Sequence, residues 1–278
     1  PHRDKYVIKV DIRSFGESIE PAILEKKLQP FLADEPNLYS FIMWLITRNK
    51  YYRFGKVEEG FTSVLPGNPI VSFLQNVFLL EADRFMIENA RICCRYTDDI
   101  CMICEDRPSA ERSMEQLMRI ITDLGLSMNE KKSCIIPPGV GYDLLGMRFE
   151  PDMTDISQNT FLKVSYKMKH RADSLCRRVK NGKLTREEGL RLMAGYIRFY
   201  YYGNGEDNSI SWADRFFQFI TTSETLKKLD HLSQECLRYI ATGRRTNAKY
   251  RFRYEDIKDT GYVPLVRAYY SRNECCDR

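Results

Sequence analysis

The chain has 278 residues, of which 43% are hydrophobic, and a formal net charge of +5. This length and apolar content predict a folded globular protein with one large domain or two ordinary ones, and exclude a disordered chain. No apolar run reaches the roughly 18 residues of a membrane helix, and the N-terminal stretch PHRDKYVIKV lacks the apolar core of a signal peptide. We therefore expect a cytoplasmic protein with no membrane partner.

The charge is distributed unevenly along the chain. Residues 1–150 contain 19 Lys and Arg against 22 Asp and Glu, whereas residues 151–278 contain 24 against 16. An acidic half joined to a basic half is typical of a protein that gathers metal ions in one place and holds a polyanion in another. The alternative is that the second half has a solvated basic face.

The nine cysteines are expected to be reduced, because an odd number at irregular spacings does not form a disulfide framework in a protein of this size. Cys101 and Cys104 form a C-x-x-C pattern inside a predicted strand, where residues three apart face opposite sides. No second pair lies at zinc-site spacing, so we interpret these two as structural thiols.

The first predicted element is a strand over residues 5–12, where apolar and polar residues alternate. Helical patterns follow over residues 19–50, interrupted by two prolines. Residues 60–70 contain two Gly and two Pro and predict a loop, which leads into a helix over residues 71–85 with a buried apolar face.

The next predicted elements are two strands, residues 91–96 and 100–104, and a helix that ends at Gly125. Further strand-like pieces follow, and the chain reads as mostly helical from residue 163 onward. This order predicts an α+β fold, with an antiparallel sheet and helices on one face followed by a mostly helical domain. We place the domain boundary between residues 152 and 153.

Two adjacent acids interrupt an apolar stretch, because residues 91–104 read RICCRYTDDICMIC. A buried carboxylate is unfavourable unless a cation or hydrogen bonds compensate it, so Asp98 and Asp99 need a partner. Asp11 also lies at the end of an apolar strand. A cluster of three carboxylates at strand ends is what a site for two divalent cations requires, and such a site performs phosphoryl transfer.

Five segments of the chain resemble, in order, motifs A to E of the reverse transcriptase family. They are VDIRSFGESI, SVLPGNPIVSFLQNVFL, RYTDDICMI, LGLSMNEKKS and DLLGMRF. The resemblance is closest to bacterial enzymes of the group II intron, retron and phage-defence kind, and the segment YEDIKDTGYVPLVRAYY is similar to the end of such proteins. It implies a polymerase palm over residues 1–152 and a thumb over residues 153–278, with the fingers that precede motif A missing from this chain.

The resemblance also implies roles for residues near the acids. Asp11, Asp98 and Asp99 match the family's catalytic acids, and the backbone carbonyl of Ile12 matches a metal ligand. The implied cofactor is a pair of Mg²⁺ ions, or Mn²⁺ in their place. Lys132 matches the motif D lysine that acts as a general acid toward pyrophosphate, although NEKKS is equally well explained as a solvated basic turn.

Residues implied to lie around the incoming nucleotide are Arg13, Phe15, Gly16, Gly67 and Asn76. A loop glycine and a helix-capping asparagine are the alternatives for the last two. The chain departs from the family at this site, because motif B commonly reads Pro-Gln-Gly where this sequence has LPG, and a valine follows where the family has serine. Handling of the template is therefore expected to differ.

Motif A departs from the family in a second way. The family places a bulky aromatic residue five positions after its Asp, where the ring blocks a ribose 2′-hydroxyl. Gly16 stands at that position here, and Phe15 lies one residue earlier. Since adjacent side chains of a strand face opposite ways, Phe15 replaces the missing ring only through a bulge. An open gate and a bulged Phe15 are both retained as hypotheses.

Nucleic-acid contacts are expected in the basic second half, above all in residues 243–254, where basic and aromatic residues alternate. The aromatic run at residues 199–202 either stacks on bases or forms thumb core. The predicted contact residues are Lys167, Lys169, Arg244, Arg245, Lys249, Arg251 and Arg253.

These inferences together predict an RNA-directed DNA polymerase that uses two metal ions, an RNA template, a nucleic-acid primer and dNTPs. An associated RNA or a second copy of the chain are further candidate partners. The alternatives are a ribonucleotide-tolerant or template-independent polymerase of the same fold and a non-catalytic RNA-binding module. Retroelement mobility, retron synthesis and antiviral defence share these motifs.

Overall fold

The computed structural model describes residues 4–48, 50–59, 69–204 and 210–276. The chain forms two compact units, residues 1–140 and residues 141–278. Both contain helices and antiparallel strands, so the predicted α+β class is confirmed. Within the described residues, no helix is both long enough and apolar enough to cross a membrane.

The first unit begins with a strand and ends with one. Its elements are β1 (Tyr6–Asp11), α1 (Phe15–Ser18), α2 (Pro21–Leu28), a 3₁₀ turn (Gln29–Phe31), α3 (Pro36–Thr47), β2 (Lys50–Arg53), β3 (Lys56–Glu59), α4 (Val71–Phe78), α5 (Leu80–Asn89), β4 (Ile92–Tyr96), β5 (Asp99–Cys104), α6 (Arg107–Asp123) and β6 (Cys134–Ile136).

An antiparallel sheet with the strand order β4-β5-β1-β6 forms the centre of this unit. Every second residue of its two middle strands is fully buried, as for Ile8 and Val10 in β1 and Ile100 and Met102 in β5. These side chains join one core cluster with residues of α4, α5 and α6, such as Phe78. Helices therefore cover one face of the sheet, as predicted from the alternating pattern.

The sequence of α6 shows how its ends are fixed. Asp106 caps the helix, because its side chain accepts a hydrogen bond from the backbone N–H of Ser109 at 2.8 Å. At the other end Gly125 has φ +73°, and the backbone N–H of Leu126 donates to the carbonyl of Ile121 at 3.0 Å. This left-handed closure confirms the predicted helix end at Gly125.

The second unit is mostly helical. Its elements are β7 (Tyr142–Leu144), β8 (Met147–Phe149), β9 (Thr154–Ile156), α7 (Gln158–Lys180), α8 (Arg186–Tyr202), α9 (Trp212–Phe217), α10 (Glu224–Thr242), a 3₁₀ turn (Asn247–Arg251), α11 (Tyr254–Lys258) and α12 (Leu265–Cys276). Strands β7, β8 and β9 form a small antiparallel sheet. Helices α7, α8 and α10 pack together around a second core that includes Met168, Ile197 and Leu229.

A buried carboxylate connects α10 to the segment that leads into α12. Asp230 is 6% exposed, and its oxygens accept hydrogen bonds from the hydroxyl of Tyr262 at 2.5 Å and from the backbone N–H groups of Leu265 at 2.7 Å and Val266 at 3.0 Å. The carboxylate thus supplies the first turn of α12 with acceptors. These hydrogen bonds hold residues 262–266 to α10, together with the burial of Tyr262 and Leu265 in the core.

The structure differs from the sequence prediction in local details. Strands β2 and β3 form a hairpin that the predictions did not include. Residues 15–18 form a helical turn, so the strand alternation assumed for Phe15 and Gly16 does not apply to them. The predicted helix over residues 71–85 is two helices separated at Leu79. The two units meet between Val140 and Gly141, whereas the expected palm–thumb boundary lay between residues 152 and 153, because strands β7 to β9 group with the helices.

Two glycines of the second unit test the part that backbone conformation plays in its stability. Gly182 follows α7 with φ +71°, Gly195 lies within α8, and a Cβ added at either would meet no atom within 4 Å. We expect Gly182→Ala to lower the free energy of unfolding by ~1 kcal/mol, because an L-residue is strained there. Gly195→Ala should raise it by ~0.5–1 kcal/mol, because alanine favours a helix interior.

Chemical denaturation of both variants beside the unaltered protein measures the two shifts. Since neither methyl group meets a neighbour, packing is the same in both cases. Shifts of the same sign would contradict the assignment of these effects to backbone conformation.

Candidate active site

The three acids predicted from the sequence lie at the same end of two neighbouring strands. Asp11 ends β1 and pairs in register with Asp99, the first residue of β5, while Asp98 immediately precedes it in the hairpin turn. The backbone N–H of Ile12 donates to the carbonyl of Asp98 at 3.2 Å, which continues the pairing into the turn. Thr97 has φ +55° in that turn, and its hydroxyl donates to the Asp98 carboxylate at 2.7 Å.

Asp11 is only 7% exposed, and its carboxylate is compensated by residues of the predicted motif D. The Lys132 ammonium donates to one oxygen at 2.8 Å and the Asn129 amide donates to the other at 3.0 Å. The Asn129 backbone N–H also donates to the Asp11 carbonyl at 2.8 Å. The hydrogen bond to Asp11 raises the pKa of Lys132, so the ammonium remains protonated.

Within the described structure, the surroundings of the Asp99 carboxylate compensate its negative charge only in part. Burial raises the pKa of its carboxyl group, and the nearby Asp98 and Asp11 carboxylates raise it further, against the opposing effect of Lys9 and Lys132. The three acids therefore repel one another. A bound cation would relieve this repulsion.

Carboxylate oxygens are suitable donors for Mg²⁺ or Mn²⁺, so the chemistry of the acids fits the implied metal. Across the described ranges, however, no three His, Cys, Asp or Glu side chains are already arranged to hold an ion. In this structure the Lys132 ammonium donates a hydrogen bond to the Asp11 carboxylate. A metal that uses Asp11 must take the place of this ammonium.

A cavity of about 550 Å³ lies between residues that follow β1 and residues that precede β6. None of the three acids lines it, and it adjoins Asp11 through Asn129. Its wall includes the predicted nucleotide contact Arg13, together with Asn129 and Lys131. The Arg13 backbone N–H donates to the carbonyl of Ser127 at 2.9 Å, and Ile12 forms a bridge with Met128. Residues of motifs A and D thus line one cavity.

The other predicted nucleotide contacts are placed differently. Phe15 is 4% exposed and packs in the core of the first unit, with its ring centroid 6.4 Å from that of Phe78. Gly16 is half-buried within α1. Gly67 lies outside the described residues, as do Leu65 and Pro66.

Asn76, which is exposed, belongs to a polar network centred on Arg95 that the sequence did not predict. Arg95, whose side chain is 7% exposed, donates two hydrogen bonds to the Asp83 carboxylate, at 2.6 and 2.5 Å. It also donates to the Asn76 amide oxygen and to the backbone carbonyl of Thr97, both at 3.1 Å. The guanidinium thereby connects α4 and α5 to the turn that carries Asp98. The available signal was an arginine in an otherwise apolar strand.

The predicted nucleic-acid contacts lie in the second unit, and several already have partners there. Arg245 forms an ion pair with Asp173 and lies 4.4 Å from the ring centroid of Tyr239, and Lys249 forms an ion pair with Glu235. Lys167 lies 5.3 Å from the ring centroid of Tyr200. The remaining contacts, Lys169, Arg244, Arg251 and Arg253, are exposed.

Lys169, Arg245 and Lys249 also line a cavity of about 640 Å³, with α10 as one wall. The aromatic run at residues 199–202 is divided between two environments. Tyr201 is completely buried, and burial raises the pKa of its hydroxyl, whereas Phe199 is 56% exposed. Core packing therefore accounts for Tyr201, and Phe199 remains available at the surface.

The first unit thus presents three acids at adjacent strand ends of an antiparallel sheet. The model of the family "Reverse transcriptase (RNA-dependent DNA polymerase)" matches residues 1–149, more than half of the chain. The chain belongs to the reverse transcriptase family. No curated protein matches it.

Among solved structures, apo telomerase from Candida Tropicalis is similar at 9% identity and a TM-score of 0.47, over 93% of this chain and 53% of that chain. A second structure, of telomerase from Candida Tropicalis with a TWJ fragment of telomeric RNA, is similar at 12% identity and a TM-score of 0.45. That match covers 92% of this chain and 46% of the other. The chain thus spans about half the length of these telomerase chains.

The buried ion pair of Arg95 should contribute measurably to stability. Arg95→Ala leaves the Asp83 carboxylate, 25% exposed, without its cation, so we expect the free energy of unfolding to fall by about 3 kcal/mol. The control is Arg107→Ala, which breaks the exposed pair between Arg107 and Glu111 and should cost less than about 1 kcal/mol. Equal losses in denaturant titrations would show that the network of Arg95 is not structural.

The raised pKa of Asp99 predicts a dependence of stability on pH. Because the folded-state pKa lies above the unfolded value of about 3.9, the folded state binds the proton more tightly, and stability falls as pH rises between the two values. Asp99→Asn should therefore be more thermally stable than the unaltered protein at pH 7, and the difference should disappear near pH 3.

Melting temperatures across this pH range, measured without divalent cations, test the prediction. Asp34→Asn serves as the control, because Asp34 is exposed at the surface of the same unit. A lower melting temperature for Asp99→Asn at pH 7 would mean that the ionised carboxylate is stabilising in the folded protein.

Proposed function

We propose that this chain is the palm and thumb of a bacterial-type reverse transcriptase, which extends a nucleic-acid primer on an RNA template by using dNTPs. The observation that carries the proposal is the placement of Asp11, Asp98 and Asp99 at adjacent strand ends, in a domain of the reverse transcriptase family. The proposed thumb comprises residues 153–278, so that its first strand, β9, pairs with β8 of the preceding segment. Its excess of basic residues supports contact with the phosphates of a primer–template duplex.

Asp11, Asp98, Asp99 and the backbone carbonyl of Ile12 are the groups that would hold two Mg²⁺ ions. When bound, such ions activate the primer 3′-hydroxyl and neutralise the charge of the leaving pyrophosphate. The protein's own contribution is position, because β1 and β5 fix the acids relative to each other before any ligand arrives. The proposed general acid toward the pyrophosphate is Lys132, whose ammonium donates a hydrogen bond to Asp11 and is protonated.

The cavity lined by residues of motifs A and D is the proposed position of the incoming triphosphate. Arg13 and Lys131 lie in its wall and supply positive charge, and Asn129 supplies an amide. Asn76 is connected to the turn that carries Asp98 through Arg95, which donates hydrogen bonds to the Asn76 amide oxygen and to the Thr97 carbonyl. Because the guanidinium takes the amide oxygen, the amide nitrogen of Asn76 is left to donate to a nucleotide or template.

The bacterial origin and the biological role are proposed from the motif resemblance alone. Motifs A to E and the segment at residues 254–270 are most similar to enzymes of group II introns, retrons and phage defence. A role in a mobile retroelement or in antiviral defence is consistent with those motifs.

Replacing Asp98 tests the proposed chemistry. Asp98→Asn, made in the full-length enzyme, should reduce primer extension on an RNA template by at least about 10³-fold, because a neutral amide holds a divalent cation poorly. The melting temperature should stay the same or rise, since one repelling charge is removed.

Asp34→Asn is the matched control, because Asp34 is exposed between the first 3₁₀ turn and α3 and is not one of the acids of the site, and extension should persist. Full extension by Asp98→Asn would rule out the metal assignment. Loss of extension together with a large fall in melting temperature would indicate a structural defect instead.

A ribonucleotide-tolerant polymerase of the same fold is the second candidate. The observation that favours it is the burial of Phe15 against Phe78, which leaves no aromatic ring from this segment beside the acids. Gly16 itself has no side chain to meet a 2′-hydroxyl.

The two candidates differ in the ratio of kcat/KM for dNTP and NTP. The unaltered full-length enzyme should accept ribonucleotides, and Gly16→Phe should restore a preference for dNTPs by roughly tenfold, which corresponds to about 1.4 kcal/mol of discrimination. Phe15→Leu is the control, because it keeps an apolar side chain in the core and should not change the ratio. A strong dNTP preference that only Phe15→Leu relaxes would identify Phe15 as the gate and exclude the open site.

A further inference from the structure

Two cysteines face each other across the hairpin that carries the acids. Strands β4 and β5 pair in antiparallel register, and Cys94 lies directly opposite Cys101. Both are free thiols. Cys104, the other cysteine of the C-x-x-C pattern, lies opposite Tyr6 on β1 and is not brought together with Cys101. The polymerase chemistry proposed above uses neither Cys94 nor Cys101.

The backbone geometry at this pair permits a covalent bond. Directly opposed residues of antiparallel strands have Cα atoms about 4.5–5.5 Å apart, which lies within the range of about 4.4–6.8 Å found for disulfides. The side chains point to the same face of the sheet, because the two residues are directly opposite each other in the register. No large movement of the backbone is therefore needed to join the two sulfurs.

The two thiols differ in their access to solvent and in their acidity. Cys94 is exposed, whereas Cys101 is 6% exposed. Contact with the Cys101 thiol lowers the pKa of Cys94 to about 7. An exposed, acidic thiol directly opposite a second, buried thiol is the arrangement found in redox-sensing cysteine pairs.

We propose that Cys94 and Cys101 form a peroxide-sensitive oxidation site in the hairpin, with Cys94 as the attacking thiolate and Cys101 as the resolving thiol. The Cys94 sulfur attacks one oxygen of hydrogen peroxide, so that the O–O bond breaks, hydroxide leaves and a sulfenic acid forms. The Cys101 sulfur then displaces the sulfenic hydroxyl as water and closes the S–S bond. The two thiols lose two electrons in total, and the peroxide takes them up.

The disulfide would enclose the acid-bearing turn. Residues 95–100 lie between the two cysteines, and this segment contains Asp98 and Asp99. Opposed Cβ atoms in a sheet are about 4.5–5.5 Å apart, slightly more than the 3.5–4.5 Å of a disulfide, so the bond draws the strands together and carries strain. Strained, accessible disulfides are readily reduced, which makes the oxidation reversible by a dithiol.

Peptide mass spectrometry of the intact protein tests the site without any substitution. The protein is treated with hydrogen peroxide at neutral pH, blocked with iodoacetamide and digested without reductant. We expect a linkage of Cys94 to Cys101 with the loss of two hydrogens, and its disappearance after treatment with dithiothreitol. Cys134 is the internal control, because it is exposed and lies opposite Lys9 rather than a thiol.

Rates and variants separate this site from general thiol oxidation. Cys94 should be oxidised roughly fivefold faster than Cys134, because more of it is thiolate at neutral pH. In Cys101→Ala, dimedone should trap a sulfenic acid on Cys94, since the resolving thiol is gone. The proposal is overturned if Cys94 and Cys134 react at the same rate, if Cys94 links to Cys93 instead, or if Cys94 is overoxidised without forming a disulfide. None of these readouts depends on polymerase activity.

Discussion

The pairing of β1 with β5 is the constraint on which the rest of the first unit depends. Its register is fixed by apolar side chains, because Ile8, Val10, Ile100 and Met102 are all fully buried on the helix-covered face. A slip of one residue would turn the inward side chains of β1 to the opposite face, and each loses about 1.5–3 kcal/mol of burial. The same register sets Asp11 opposite Asp99. The hydrophobic core therefore fixes the strand register, and the register determines where the charged site lies.

Bringing three carboxylates together is unfavourable, and the protein compensates Asp11 and Asp99 to different extents. Asp11 receives an ammonium and an amide from the segment after α6, whereas Asp99 stays incompletely compensated. The first arrangement stabilises the protein without a ligand. The second retains an attraction for a cation. Lys132 therefore has two functions in the proposed mechanism, one in the free protein and one at the pyrophosphate.

Local sequence was sufficient where a feature depends on neighbouring residues. The strand periods, the acid pair in the hairpin and the helix end at Gly125 were predictable, because each is decided within a few positions. The roles of Asn129 and Arg95 were not, since their partners Asp11 and Asp83 lie on other elements of the fold. The same holds for Cys94, whose partner is set by strand register. The β2–β3 hairpin was missed because its residues follow a long helical pattern without a clear break.

The hydrogen bonds between Asp230 and residues 262–266 limit where the second unit can be shortened. The Asp230 carboxylate lies in the interior of α10, and three of its hydrogen bonds come from residues 262–266, far along the chain. A shortened protein that ended after α10 would leave a buried anion without donors, which the core tolerates poorly. The last helices are thus an integral wall of this unit, and the smallest autonomously folding fragment must extend beyond Val266. Fusion partners and affinity tags attached beyond Val266 leave these hydrogen bonds intact, whereas insertions between α11 and α12 would break them.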